Sequence, residues 1–120
     1  MTNRYELPWP PSVNHYYKKG RGGRLYISKE GQDYRWQTKA RLLRAPMLEG
    51  RLKVFVEAYP PDRRRHDLDN LGKCLFDSCQ AAGLYEDDSQ IDDLHIVRRG
   101  VYPKGKIIIE LSTIEIVSND

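Results

Sequence analysis

Residues Leu52 to Gly83 read LKVFVEAYPPDRRRHDLDNLGKCLFDSCQAAG, and the hydrophobic period changes once along this stretch. Leu52, Val54, Val56 and Ala58 alternate with Lys53, Phe55, Glu57 and Tyr59, the period-two pattern of a strand with one buried face. Pro60 and Pro61 close it, because proline cannot donate to a sheet ladder. Beyond the charged loop, Leu68, Leu71, Leu75, Cys79 and Ala82 recur at helical spacing and predict a helix buried along one stripe. Gly83 stands where a left-handed C-terminal cap belongs. A strand, a charged loop and a helix in succession place the loop's side chains at a helix start.

The flanks extend this unit. Tyr5, Leu7 and Trp9 predict a first strand ended by Pro10 and Pro11. Pro10 to Leu25 reads as a long loop, and a loop of this length in a small domain usually serves function. Ser28 predicts the cap of a helix reaching about Ala45, with Trp36, Ala40 and Leu43 as its i, i+4, i+7 stripe before Pro46. Leu94 and Ile96 begin a third strand; Ile107, Ile109 and Leu111 mark a fourth, joined to it as a hairpin through Pro103 to Gly105. The order is βαβαββ, an α+β (mixed α/β) fold whose mixed sheet has two main helices packed on it. Ser118 to Asp120 read as a frayed end.

A length of 120 residues, 39% hydrophobic and 31% charged, suits one domain over residues 1–120. No apolar run approaches the roughly 20 residues that span a bilayer, and the N-terminus lacks a signal-peptide layout. Cys74 and Cys79 fall in one helix with no geometry for a mutual disulfide, so a reducing, cytoplasmic setting is expected. The net charge of +3 is modest. Its distribution is not: basic clusters at Lys18 to Arg24, Arg63 to Arg65 and Arg98 to Lys106 surround acids at Asp67 to Asp69 and Glu86 to Asp93. An acidic spot within basic surroundings fits a polyanion bound around a metal.

The chemistry concentrates in DRRRHDLDNLGK, Asp62 to Lys73. Residues two apart point the same way only in extended chain. Asp67 and Asp69 therefore converge if Asp67-Leu68-Asp69 is extended and the helix begins at Asp69 or Asn70. Its N-terminal N–H groups then add a place for a phosphate. The same residues also fit a plainer role, with Asp69 as an N-cap and Asp67 paired with an arginine. Lys73 likewise fits either transition-state stabilisation or a helix pair with Asp77 worth about 0.3–0.5 kcal/mol. Asp87 and Asp88 tilt the balance toward metal. An acid-only donor set suits Mg²⁺, whereas His15, His66 and His95 lack zinc-type spacing. The helix, roughly 20 Å long, puts Asp88 beyond its far end. Five or six extended residues reach about 17–20 Å, so Asp88 returns within the chain or reaches a site through a two-fold partner. The in-chain return is the simpler expectation.

With those residues in view, the chain resembles the RusA family of Holliday junction resolvases, small phage- and prophage-associated endonucleases. The matching pieces are PWPPSVNHYY, PDRRRHDLDNLGKCLFD and EDDSQIDDL, which together cover nearly the whole length. The resemblance implies a homodimer that binds four-way branched DNA and, with Mg²⁺ (Mn²⁺ as a substitute), nicks it symmetrically in recombination and repair. It puts catalytic and metal-binding acids at Asp67, Asp69 and Asp88 and a functional lysine at Lys73. His66 departs from the pattern, since arginine is expected before the first acid. DNA contacts are expected from Arg63, Arg64, Arg65 and His66, and from Asn14, Tyr17 and Lys18 in the early loop, whose aromatics can stack on unpaired bases. Three other functions remain to be separated from this one: a DNA- or RNA-binding protein without catalysis, a metal nuclease for other branched DNA or RNA, and a basic module for an acidic protein.

Overall fold

Strand β4 (Leu52–Tyr59) is the strand on which the rest of the sheet is built. In the computed structural model, which describes residues 2–115, Leu52, Val54, Val56 and Ala58 are fully buried, as the alternation requires. On one side β4 pairs antiparallel with β6 (Lys106–Thr113), and on the other it pairs parallel with β5 (Ile91–Arg98). β1 (Thr2–Leu7) adds antiparallel to β6, giving the order β1-β6-β4-β5. The parallel pair needs a crossover, which helix α3 (Leu68–Ala81) supplies.

Leu71, Leu75 and Cys79 of α3 pack with Val54, Val56 and Ile109 in the main core. Leu75 is fully buried, so its truncation to alanine costs about 2–5 kcal/mol. The helix ends in a Schellman motif. Leu84 N–H donates to the Cys79 carbonyl at 3.1 Å and Gly83 N–H to that of Gln80 at 3.0 Å. Gly83 has φ +82°, which a side chain would strain.

The mixed fold class stands, with three corrections to the expected details. The segment after β5 is not a hairpin turn: Arg99 N–H bonds the Ala58 carbonyl and Tyr102 N–H that of Pro60. The chain thus crosses the end of β4, and β6 enters on the far side, between β4 and β1. Burial explains the choice, because Ile107, Ile108 and Ile109 are all buried and belong in a central strand, whereas the polar β5 sits at the edge.

The second correction concerns α2 (Lys29–Arg41). Ser28 caps it as expected, accepting from Gly31 N–H at 3.0 Å. Its expected stripe faces solvent, however, with Trp36 73% and Leu43 74% exposed. The buried face is Gly31, Tyr34 and Thr38, followed by Leu42. Gly31 sets this rotation: a Cβ there would lie 2.6 Å from the Tyr16 carbonyl oxygen. Third, the early segment is not wholly loop. It holds a helical turn, α1 (Val13–Tyr16), and a small hairpin of β2 (Tyr17–Lys19) with β3 (Leu25–Ile27). The expectation for Ser118 to Asp120 lies outside the described residues.

Among the described residues, no helix is long and apolar enough to cross a membrane. Cys74 and Cys79 are both free and buried. Burial pushes their thiols up to about 11 and about 12, which removes them as nucleophiles near neutrality.

Candidate active site

Helix α3 begins at Leu68, one residue earlier than expected, so Asp67 is its N-cap and the last extended residue, and Asp69 sits in its first turn. The fully extended Asp67-Leu68-Asp69 segment expected to turn both carboxylates the same way is therefore not formed, because the helix has already started at Leu68. Asp67 has the capping backbone (φ −77°, ψ 124°) yet makes no side-chain cap hydrogen bond. Its nearest cation is Arg65 Nε, 3.7 Å away, with both side chains largely in solvent. Asp69 is exposed and makes no ion pair among the described residues. Asp67 thus keeps the arginine pairing of the plainer role, long and in solvent, whereas Asp69 is not the N-cap and makes no ion pair among the described residues.

Lys73 follows one turn on, exposed on the same face as Asp69. The alternative pairing with Asp77 does not occur. Asp77 instead accepts from Arg35 Nη2 at 2.5 Å and from the Tyr16 hydroxyl at 2.5 Å, and Ser78 Oγ lies 3.0 Å from the same hydroxyl. This network fastens α1 and α2 to α3. It leaves Lys73 without a carboxylate partner among the described residues, beside a hollow of about 530 Å³ that Asn14, Tyr17 and Lys18 also line. Four expected site residues thus share one hollow. Tyr17 packs edge-on against Tyr16, with centroids 4.7 Å apart.

Asp88 lies elsewhere. It opens a short 3₁₀ turn (Asp88–Gln90) after α3, and its backbone N–H donates to Gln80 Oε1 at 2.9 Å. At about 1.5 Å per residue, α3 rises roughly 16 Å between Asp69 and Gln80, so Gln80 holds the Asp88 backbone toward the end of the helix away from Asp69. Partial burial raises the Asp88 pKa, and the neighbouring carboxylates of Asp87 and Asp77 raise it further. Among the described residues of one chain, no three His, Cys, Asp or Glu side chains come together as a metal site. Two acids at the helix start, Asp67 and Asp69, match in number what Mg²⁺ takes from protein, since it uses one or two carboxylates and completes its shell with water and substrate oxygens.

The arginine loop borders a cleft of about 740 Å³ lined by Trp9, Asp62, Arg64, Arg65, His66 and Asp67, among others. Arg63 is exposed without an ion pair among the described residues. Arg64 is engaged by Asp62, Nη2 to Oδ2 being 3.0 Å. His66 is half-buried, 2.9 Å from Asp62 Oδ1 and edge-on to Trp9, and its carbonyl accepts from Arg98 at 2.6 Å. His66 thus braces the loop from inside, while Arg63 and Arg65 point outward. Sequence reasoning missed Asp62, Trp9, Gln80 and the Tyr16–Arg35–Asp77 network. Only Asp62 had a local cue, since Pro-Asp commonly opens a turn in which the carboxylate accepts a backbone N–H two residues on.

Two exposed acids at a helix start, a lysine one turn later with no ion pair among the described residues, and a basic loop beside them suit phosphodiester chemistry. The comparisons with known proteins agree with that chemistry. The family model described as Endodeoxyribonuclease RusA matches residues 8–112. The crossover junction endodeoxyribonucleases RusA of Enterobacteria phage 82 and of Escherichia coli K12 are each 43% identical over 115 residues, covering 92% of this chain and 94% of the relative. That of Enterobacteria phage HK97 is 41% identical over 121 residues, covering 96% and 99%. The chain belongs to the RusA endodeoxyribonuclease family.

Proposed function

We propose that the protein is a Mg²⁺-dependent endodeoxyribonuclease that resolves Holliday junctions by paired nicks, acting as a homodimer in recombination and repair. The observation that carries this reading is the layout of α3. Asp67 and Asp69 stand at one end of its exposed face, Asp88 is tied to the other end through Gln80, and Lys73 lies between them. A two-fold axis crossing that face near its middle sets a partner helix antiparallel. Asp88 of each subunit then approaches Asp67 and Asp69 of the other. Two equivalent composite sites result, which matches the approximate two-fold symmetry of a four-way junction.

In each site Asp67 and Asp69 hold the cation, with Asp88 of the other subunit as the third acid. Bound Mg²⁺ (or Mn²⁺) supplies Lewis-acid polarisation of the scissile phosphate and favours ionisation of the attacking water. The chain's own residues supply the rest. Lys73, without an ion pair among the described residues and at the same face, balances charge that builds on the phosphoryl and leaving oxygens during in-line displacement. Arg63 and Arg65 fix neighbouring phosphates, and the first-turn N–H groups of α3 that lack intrahelical partners favour an anion at the same spot. Asn14, Tyr17 and Lys18 extend the contact along the strand, with the Tyr17 ring available for stacking.

A DNA-binding role without catalysis has less support, because Asp69 neither caps the helix nor forms an ion pair among the described residues, and Asp67 makes only a long, solvent-exposed pair with Arg65. Asp69→Asn separates the two. On a labelled four-way junction in Mg²⁺, this variant should bind as the wild type does and fail to nick. Nicking at the wild-type rate would remove the assignment.

A further inference from the structure

The contact between Asp62 and Arg64 has the form of a protein–phosphate contact. Arg64 Nε and Nη2 both donate to Asp62 Oδ2, at 3.2 and 3.0 Å. Both donors lie on the Nε edge of the guanidinium, the edge with which arginine also grips phosphate, and here they converge on a single carboxylate oxygen. Arg64 is 85% exposed, whereas Asp62 is 35% exposed and has anchors of its own. Its Oδ1 accepts from the Arg64 backbone N–H at 2.9 Å and faces His66 Nε2 at 2.9 Å. The Arg64 side chain can therefore leave without dismantling the loop, and Asp62 stays in place. Asp62, Arg64, Arg65 and Asp67 line the same cleft.

We infer that Asp62 is a specificity-determining residue: its carboxylate occupies the Arg64 fork as a built-in substitute for a DNA phosphate and yields only to a phosphate fixed in place. The inference rests on the DNA-cleaving function proposed above. An intramolecular carboxylate is present at high effective concentration, so a mobile phosphate of a loosely bound linear duplex competes poorly for Arg64. A junction seated by its other contacts holds a phosphate steadily at the fork, and Arg64 transfers to it. Arg64 thereby becomes a contact made in the specific complex and withheld from the non-specific one, a form of selectivity by restraint.

The test is equilibrium binding by fluorescence anisotropy, without metal, to a four-way junction and to a linear duplex over a salt series. Asp62→Asn keeps an oxygen acceptor for the Arg64 N–H while removing the charge that holds the fork. It should tighten duplex binding about two- to fivefold, the scale of an exposed ion pair. It should also steepen the salt slope for duplex by about 0.9, one added phosphate contact. The gain should vanish when Arg64→Ala is already present. Unchanged duplex affinity and slope, or an equal gain in the Arg64→Ala background, would overturn the inference; the latter marks a general charge effect. Arg64→Ala alone gives a second reading that does not depend on the Asp62 variant folding. It should weaken junction binding more than duplex binding, and equal weakening of both contradicts the gate. Should the wild type itself show no preference for the junction, the proposed function falls, which is a different result from either of these.

Discussion

The backbone N–H of Asp88 donates to Gln80 Oε1 across 2.9 Å, which pins Asp88, the third acid of the proposed site, to the C-terminal end of the helix that carries Asp69 at its start. The contact is exposed, so its contribution is that of an ordinary hydrogen bond, about 0.5–1.5 kcal/mol. Gln80→Ala should slow single-turnover nicking by about two- to tenfold while junction affinity, read by anisotropy, stays at the wild-type value. Loss of affinity in step with rate would mean that Gln80 supports DNA binding and not the placement of Asp88.

Lys73 makes no ion pair among the described residues, so its removal should leave stability alone. Lys73→Ala is expected to keep the thermal midpoint and to lower the nicking rate by about 10²- to 10³-fold, the range for losing one preorganised charge-stabilising group. A fallen midpoint with a modest rate change would restore the helix-pair role.

Arg35 and Asp77 are about 30% exposed, 29% and 33% respectively, so the network around Tyr16 is partly desolvated. Arg35→Met leaves the Asp77 carboxylate with the Tyr16 hydroxyl but without its cation and should destabilise the protein by about 1–3 kcal/mol. Tyr16→Phe, which keeps the ring, should cost about 1 kcal/mol. Thermal unfolding reads both, at roughly 3–6 °C per kcal/mol for a chain of this size. Equal midpoints for all three proteins would mean that the network is incidental.

The fork of Arg64, and after it His66, holds the Asp62 carboxyl well below its ordinary value of 3.8. A depressed carboxylate stabilises the folded loop above its unfolded value, and that contribution fades as pH falls through the lower folded one. In a carboxyl-carbon NMR titration, Asp62 should stay ionised after exposed aspartates have protonated, and Arg64→Ala should move it back toward 3.8. An unmoved titration would leave the pair without electrostatic weight.

Strand β4 and helix α3 were legible because each carries its own period, two and then 3.6, between strong terminators: Pro60 and Pro61 at one boundary, Gly83 at the other. The orientation of α2 was not, since Trp36, Ala40 and Leu43 satisfy helical spacing as well as Gly31, Tyr34 and Thr38 do. Hydrophobicity favours the first set, but the close approach of Gly31 to Tyr16 selects the second. The β6 insertion was half visible in the run Ile107-Ile108-Ile109, which suits a strand with neighbours on both sides. At the site, local spacing singled out Asp67, Asp69 and Lys73. The position of Asp88 depends on Gln80, and the Tyr16–Asp77 bond joins residues far apart in the chain. Sequence neighbours carry no information about such contacts.

The central claim is that Asp67 and Asp69 work with Asp88 of a second copy, and subunit mixing measures it most directly. Asp69→Asn and Asp88→Asn are each expected to be inactive alone on a four-way junction in Mg²⁺. Once mixed and re-equilibrated, heterodimers should regain nicking at one strand, because one of their two composite sites then holds only unaltered acids. If heterodimer formation is verified and no nicking returns, each site draws its acids from a single chain and the account is contradicted.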